Sequence, residues 1–373
     1  MSDVVRSQAR RAVNLGQWIR WGLGALFIAF LLWRLWMVIF VEQNYGLDTW
    51  MRFAISGIIL GGVYAVIALG YTLVYGILFM INFAHGDVMM LGAFAGYFTL
   101  EVFSSLNVLN WTPGISIGDR VLYMPAGPIL SVLTALIVGM LVGMLVAIAL
   151  ERIAYRPLRK APRLVPLISA IGASLFLENA AQLAFGATRR TYTNPEVIVR
   201  NTGLNLMVQG KEVMVTYTGV ITVVMSILLM IGLTILVRLT KMGKAMRAVA
   251  EDKETAALMG IDVDRVIGNT FAISGLLAGA AGVLWGLHMG VIYHYVGFIP
   301  GLKAFTAAVL GGIGNVPGAM LGGLALGIFE SVGPALLGIP FQLKDVLAFS
   351  ILVLVLIFRP QGLLGEVLAE KRM

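Results

Sequence analysis

Cysteine is absent from the chain, which excludes structural disulfides, thiolate metal sites and thiol catalysis but leaves the compartment open. Charge is scarce: 12% of residues are Asp, Glu, Lys or Arg, about half the share of an ordinary soluble domain. His85, His288 and His294 are the only histidines, and no His-Glu-x-x-His or comparable ligand spacing joins them. No Gly-x-Ser-x-Gly nucleophile elbow occurs. The pairs Gly210-Lys211 and Gly243-Lys244 both lack the following hydroxyl residue of a phosphate-binding loop. The chain is therefore expected to be no enzyme and to hold no metal or cofactor. If ATP drives it, another polypeptide binds the nucleotide.

What remains is apolar. At 59% hydrophobic and a mean hydropathy of +0.91, the 373 residues carry repeated runs near the ~20 residues that cross hydrocarbon. The expected fold is an all-α polytopic membrane protein of about ten segments. These are Trp18–Val41, Phe53–Tyr75, Val88–Phe103, Ile129–Leu150, Leu164–Phe185, Val220–Val237, Ile267–Met289, Gly301–Ile313, Pro317–Val332 and Val346–Phe358. Lys and Arg cluster in Arg6–Arg20, Arg152–Arg163, Arg238–Arg265 and Arg359–Arg372, which this arrangement puts on one side. By the positive-inside rule that side is the cytoplasm, and both termini lie there. The net charge of +8 thus reads as topology and not as a nucleic-acid surface.

Small residues recur at four-residue spacing in Gly57/Gly61/Ala65, Gly92/Gly96, Gly139/Gly143/Ala147, Ala278/Gly282/Gly286 and Gly318/Gly322. Each lays a flat stripe on one helix face for close contact with a neighbour. The eighth and ninth segments are short and flank Gly311-Gly312-Ile313-Gly314-Asn315-Val316-Pro317-Gly318, too rich in Gly and Pro to continue a helix. Such breaks mark either a translocation route or a tight turn, and Gly312, Gly314 and Asn315 are candidates for the route. A similar interruption, Met80-Ile81-Asn82-Phe83-Ala84-His85-Gly86-Asp87, joins the second and third segments near the cytoplasmic edge, and the two hairpins hint at an internal repeat.

Three domains of unequal weight follow: an N-terminal extension over 1–50, a membrane domain over 51–365, and a cytoplasmic tail over 366–373. The extension has a basic lead and a retained signal-anchor helix, within which Arg34 lies close enough to the outer end to snorkel.

Polar groups inside the segments are few and face the bundle interior as a rule. Ser174, Glu178 and Gln182 stand four residues apart and make one polar helix face, a lining for a zwitterionic or small polar solute or a set of interhelical bonds. Lys303 and Glu330 admit the same two readings, with interhelical bonding or solvent contact favoured. Asn82 and His85 are further path candidates. His85 beside Asp87 could relay protons, but Asp87 reads better as the N-cap of the third segment.

The matching stretches then identify a family resemblance. They are Gly70-Tyr71-Thr72-Leu73-Val74-Tyr75-Gly76, the Asn-Phe-Ala-His-Gly-Asp hairpin, Glu151-Arg152-Ile153-Ala154-Tyr155-Arg156-Pro157, Leu167-Ile168-Ser169-Ala170-Ile171-Gly172, Ala250-Glu251-Asp252 and Lys303-Ala304-Phe305-Thr306 through Gly314. From about Met51 to Gly365 the chain resembles the permease subunit of bacterial high-affinity branched-chain amino acid ABC importers. Glu254, Ala256 and Gly260 keep the spacing of the Glu-Ala-Ala-x-x-x-Gly loop of ABC importer permeases, although Thr255 stands where Ala is usual.

The resemblance implies a bacterial inner-membrane location and a coupling helix over about Ala248–Gly260, including Ala248, Glu251, Asp252, Glu254, Ala256 and Gly260. It also implies a second related permease chain, two ABC ATPases that bind ATP and Mg, and a periplasmic solute-binding protein. Relatives of this family carry urea, short amides or aromatic acids as well as branched-chain amino acids. An ion- or proton-coupled carrier acting alone, using Glu178, His85 and Asp87, is the competing expectation.

Overall fold

The structure is a computed structural model. It describes residues 45–359 and 361–365, except 118–119, 124–125, 160, 163 and 199–201, together with 22, 26, 29–30 and 32–42. The basic lead Arg6–Arg20, much of the segment Trp18–Val41 and the tail 366–373 lie outside the described residues. Eleven helices of the membrane domain follow in order, with their ends set by local chemistry. They are α1 (Leu47–Leu78), α2 (His85–Ser105), α3 (Ala126–Leu150), α4 (Leu164–Phe185), α5 (Tyr217–Leu239), α6 (Lys241–Glu251), α7 (Lys253–Leu258), α8 (Val263–Met289), α9 (Phe298–Gly311), α10 (Val316–Leu337) and α11 (Lys344–Phe358). Short antiparallel hairpins β1 (Gly114–Ile117) with β2 (Arg120–Tyr123), and β4 (Gly203–Val208) with β5 (Lys211–Thr216), decorate two loops. The pair β3 (Arg190–Thr191) and β6 (Val291–Ile292) ties the α4–α5 loop to the end of α8.

Among the described residues, eight helices are long and apolar enough to cross a membrane, and α9 is the shorter apolar one. α1 and α8 are the most enclosed of them and α11 the least. Leu, Ile and Phe crowd the outward faces of α4, α5 and α11, as lipid-facing helices require. The ninth expected segment, Pro317–Val332, proves longer than the pattern suggested. Asn315 caps its start through the amide of Gly318, Pro317 sits harmlessly in the first turn, and the helix runs on past Pro334 to a left-handed Gly338. Only the eighth is short.

The small-residue stripes are where the helices touch. A Cβ on Gly92 would run into the backbone of Gly279, and one on Gly143 would meet Gly275 and Gly279, so α2 and α3 close on α8 at backbone distance. Gly57 and Gly61 do the same against Gly327, Ile328 and Leu324 of α10.

Lys303 and Glu330 resolve in favour of interhelical bonding. The Lys303 ammonium lies 2.7 Å from Glu330 and 2.6 Å from Asp345, while Lys344 approaches Glu330 at 3.2 Å. The Tyr64 hydroxyl donates to the other Glu330 oxygen at 2.9 Å. One carboxylate thus fastens α1, α9, α10 and α11, and both its oxygens are satisfied. Breaking a buried pair strands a charge, so Lys303→Met is expected to cost about 3–5 kcal/mol, whereas replacing both partners by apolar residues is often neutral. Thermal unfolding in detergent should show a large drop for Lys303→Met and recovery for Lys303→Met/Glu330→Met. A single variant as stable as the wild type would refute the latch.

Candidate functional site

The stretch between α5 and α8 is structured as two helices, not one. Thr240 ends α5 and caps α6 by accepting from the Gly243 amide at 3.1 Å. α6 then packs Gly243, Met246 and Val249 inward. Asp252 breaks the run: its backbone is extended, and its carboxylate accepts from the amides of Glu254 and Thr255 at 2.9 and 3.2 Å and from the Thr255 hydroxyl at 2.8 Å. The short α7 that follows buries Ala256 and leaves Glu254 exposed. Gly260 ends the unit with φ +85°, and no atom would obstruct a Cβ there, so backbone conformation and not space selects glycine. Of the expected coupling residues, Ala248 is half-buried on α6, and Glu251 and Asp252 are exposed at the break. Leu258 and Met259, which the motif does not include, are 87% and 79% exposed at the tip. Leu258 and Met259 thus lie together at the exposed end of the unit.

Next to this unit, the stretch Glu151–Pro157, which the sequence marked without explaining, ties the end of α3 to the start of α8. α3 runs through a π-helical turn, Glu151–Tyr155, into the 3-10 turn Arg156–Leu158. Arg156 donates to Asp264 at 2.6 Å, and Arg159 pairs with both Asp264 and the buried Glu151. Asp264 lies in the first turn of α8, four residues beyond Gly260. Burial, then the neighbouring Arg159 guanidinium, hold the Lys253 ammonium of α7 below its ordinary pKa. Deeper in, the Tyr155 hydroxyl donates to Asn82 at 2.6 Å. Polar contacts thus join the start of α8 to the end of α3, and the end of α3 to the α1–α2 turn.

That turn is packed inside the protein. Asn82, His85 and Asp87 are all buried, and His85 sits in the notch of Gly70, two turns before α1 ends. The Ser274 hydroxyl of α8 donates to the Gly70 carbonyl at 3.1 Å and lies 3.4 Å from His85 Nδ1, and Tyr71 packs edge-on to the imidazole. Asp87 is not the cap expected of it. Ala84 occupies the cap position of α2 and no side chain bonds the free amides there. Asp87 lies three residues past that position, in the first turn of α2, and is buried in the bundle.

On α4, Ser174 is buried, Glu178 half-buried and Gln182 exposed, so the polar face grades from interior to surface. Ser174 stands beside the Asp87 carboxylate and Glu178 lies within electrostatic reach of it. Gly312, Gly314 and Asn315 belong to a different feature. Gly312 and Gly314 take φ of +106° and +94°, Asn315 donates to the Leu364 carbonyl at 2.8 Å, and the amides of Leu363 and Leu364 bond to Leu310 and Gly311. They make a packed turn against the C-terminal segment. The two interrupted hairpins adjoin at a cavity of about 10 Å³ lined by Tyr71, Tyr75, Ile81, Phe305, Ala308 and Ile313, room for one water.

A model of the branched-chain amino acid transport system permease component matches residues 53–356. The high-affinity branched-chain amino acid transport system permease protein BraD of Pseudomonas aeruginosa is 41% identical over 321 residues, 85% of this chain and 96% of its own. LivH of Escherichia coli, named likewise, is 43% identical over 317 residues with the same shares. A probable LivH of Methanocaldococcus jannaschii is 28% identical over 315 residues. No solved structure matches the chain. These similarities establish that the chain belongs to the branched-chain amino acid transport permease family.

Proposed function

We propose that the chain is a membrane permease subunit of an ATP-driven importer in the bacterial inner membrane, carrying branched-chain amino acids or related small polar solutes such as urea or short amides. The observation that carries this reading is the α6–α7 unit, whose Leu258, Met259 and Glu254 face outward while Ala256 and Val249 hold it to the bundle. In this reading an ABC ATPase grips that unit, and a second ATPase grips a second, related permease. ATP and Mg²⁺ are bound by those partners, and a periplasmic binding protein delivers the solute.

When the ATPases close, α7 moves, and the ion pairs of Asp264 with Arg156 and Arg159 carry the displacement to the end of α3. From there Tyr155 and Asn82 reach the α1–α2 turn. Rigid helices joined at a few pairs have discrete alternative packings, which is what alternating access needs. The polar face of α4 supplies a line along which a hydrated solute can pass.

Affinity purification of the tagged chain from native membranes, followed by mass spectrometry and uptake in proteoliposomes, tests the proposal. Two ATP-binding-cassette proteins and a second permease should co-purify, and uptake of leucine should require ATP and the binding protein. Purification of this chain alone, with uptake that survives ATP depletion and stops when the ion gradient collapses, would replace the importer with the carrier.

A further inference from the structure

Among the described residues, Asp87 and Glu330 are the two most deeply buried carboxylates, and they are treated in opposite ways. Glu330 is saturated, with Lys303 and Lys344 on one oxygen and Tyr64 on the other. Asp87, 1% exposed, has no ion-pair partner among the described residues: no lysine, arginine or histidine pairs with it, and the Ser174 hydroxyl is the side-chain donor beside its oxygens. The Tyr155 hydroxyl is committed to Asn82 and the Lys303 ammonium to Glu330 and Asp345. An isolated carboxylate in a low-dielectric interior is among the most costly groups a fold can carry, and it is stabilised by a cation or by donors. A fixed protein cation would satisfy Asp87 permanently, as Glu330 is satisfied, and the fold does not supply one.

The surroundings show what could. Ser174, beside the carboxylate, heads the polar face of α4, whose next members are Glu178 and then the exposed Gln182. At 1.5 Å per residue this face rises about 12 Å from Gln182 to Ser174, an acidic and hydrogen-bonding track from the surface to the buried acid. It carries no positive charge of its own.

We propose that Asp87, with Ser174 and Glu178, forms a station for the primary ammonium group of an amino acid in transit. The carboxylate pairs with the ammonium, the Ser174 hydroxyl accepts one of its three N–H donors, and Glu178 attracts it from the open end of the track. The amino-acid part of the assignment rests on the importer reading. The cationic preference of the site stands without it, and the two can fail separately.

The absence of cysteine makes the test direct, because Ser174→Cys places the only thiol of the chain beside Asp87. In membranes holding the full chain and its partners, an ammonium-bearing methanethiosulfonate should modify Ser174→Cys at least about tenfold faster than a sulfonate-bearing one, since charge steers the reagent. The preference should fall severalfold in Ser174→Cys/Asp87→Asn, the remainder being that of Glu178. Equal rates, no reaction with either reagent, or a preference undiminished by Asp87→Asn would overturn the proposal.

In the reconstituted complex, Asp87→Asn should lower ATP-driven leucine uptake at least about tenfold, with Asp87→Glu restoring part of it and co-purification of the partners unchanged. Wild-type uptake by an assembled Asp87→Asn complex would overturn the station. An absolute requirement of wild-type uptake for sodium or potassium would hand the site to an inorganic cation and overturn the ammonium assignment. Lack of ATP-driven leucine uptake by the unmodified complex would instead remove the importer reading and leave the labelling result standing.

Discussion

Gly279→Leu is expected to leave no correctly folded protein in the membrane. Gly279 is the point where α2, α3 and α8 meet. A Cβ added there would overlap the Gly139 carbonyl and stand 2.7 Å from its carbon and 3.0 Å from Met140 Cα. All three obstacles are backbone, so no rotamer change relieves them. Moving α3 away would open its contacts with Gly275 through Gly143 and Ala147, and moving α8 would open Gly282 from Met89. Overpacking by single methylenes costs about 1–3 kcal/mol in a well-packed core. A leucine adds four carbons where even one is excluded, against a net stability of roughly 5–15 kcal/mol. Gly232→Leu is the control: Gly232 is exposed on α5 and has nothing within 4 Å of a Cβ. Membrane abundance and a monodisperse profile in mild detergent should be retained by Gly232→Leu and lost by Gly279→Leu. Normal accumulation of Gly279→Leu would show that the three-helix contact is not needed for folding.

That contact was legible in the sequence as spacing. Glycines at four-residue intervals can serve only one face, and Gly139/Gly143 and Gly92 do face Gly279 and Gly275. What spacing did not give was the partner, because each stripe could in principle meet any other. Lys303 and Glu330 were legible as costly residues, with interhelical bonding or solvent contact favoured over a path lining, but their pairing with each other was not. The addition of Lys344, Asp345 and Tyr64 follows from how α11 and α1 fold beside them, which no local pattern encodes.

Asp87 shows the limit most clearly. Its position immediately before the apolar run that opens at Val88 fits a cap by local rules. Capping, however, depends on where the first helical residue falls, and helix α2 starts at His85 because the turn tucks against Gly70 and the backbone of Gly297. The helix start is thus fixed by tertiary packing, which displaces Asp87 from the cap and turns it inward. Likewise Glu151–Pro157 was recognisable as a distinctive stretch, but its partner Asp264 is more than a hundred residues away.

Leu258→Asp is expected to abolish ATP-driven uptake while leaving the chain inserted and folded, if the ATPase-docking proposal is correct. Leu258 contributes nothing visible to the fold: it is 87% exposed, and the helix that carries it is anchored by Ala256 and capped by Asp252. A charge at that position therefore has little effect on stability, as most surface substitutions do. At a docking surface the same charge would be desolvated against an apolar groove, and truncating or charging a central anchor typically costs 2 kcal/mol or more, roughly thirtyfold in affinity. Gly260→Arg should give the same phenotype by another route. Its φ of +85° is strained for any side chain by about 1–2 kcal/mol, and the open space around it admits the arginine without a clash. The end of α7 is then re-aimed rather than unfolded. Both variants should reach wild-type membrane levels, lose co-purifying ATPase, and fail in leucine uptake. Full uptake with Leu258→Asp would move the ATPase contact away from α7, and full uptake with Gly260→Arg as well would leave the α6–α7 unit without a coupling role.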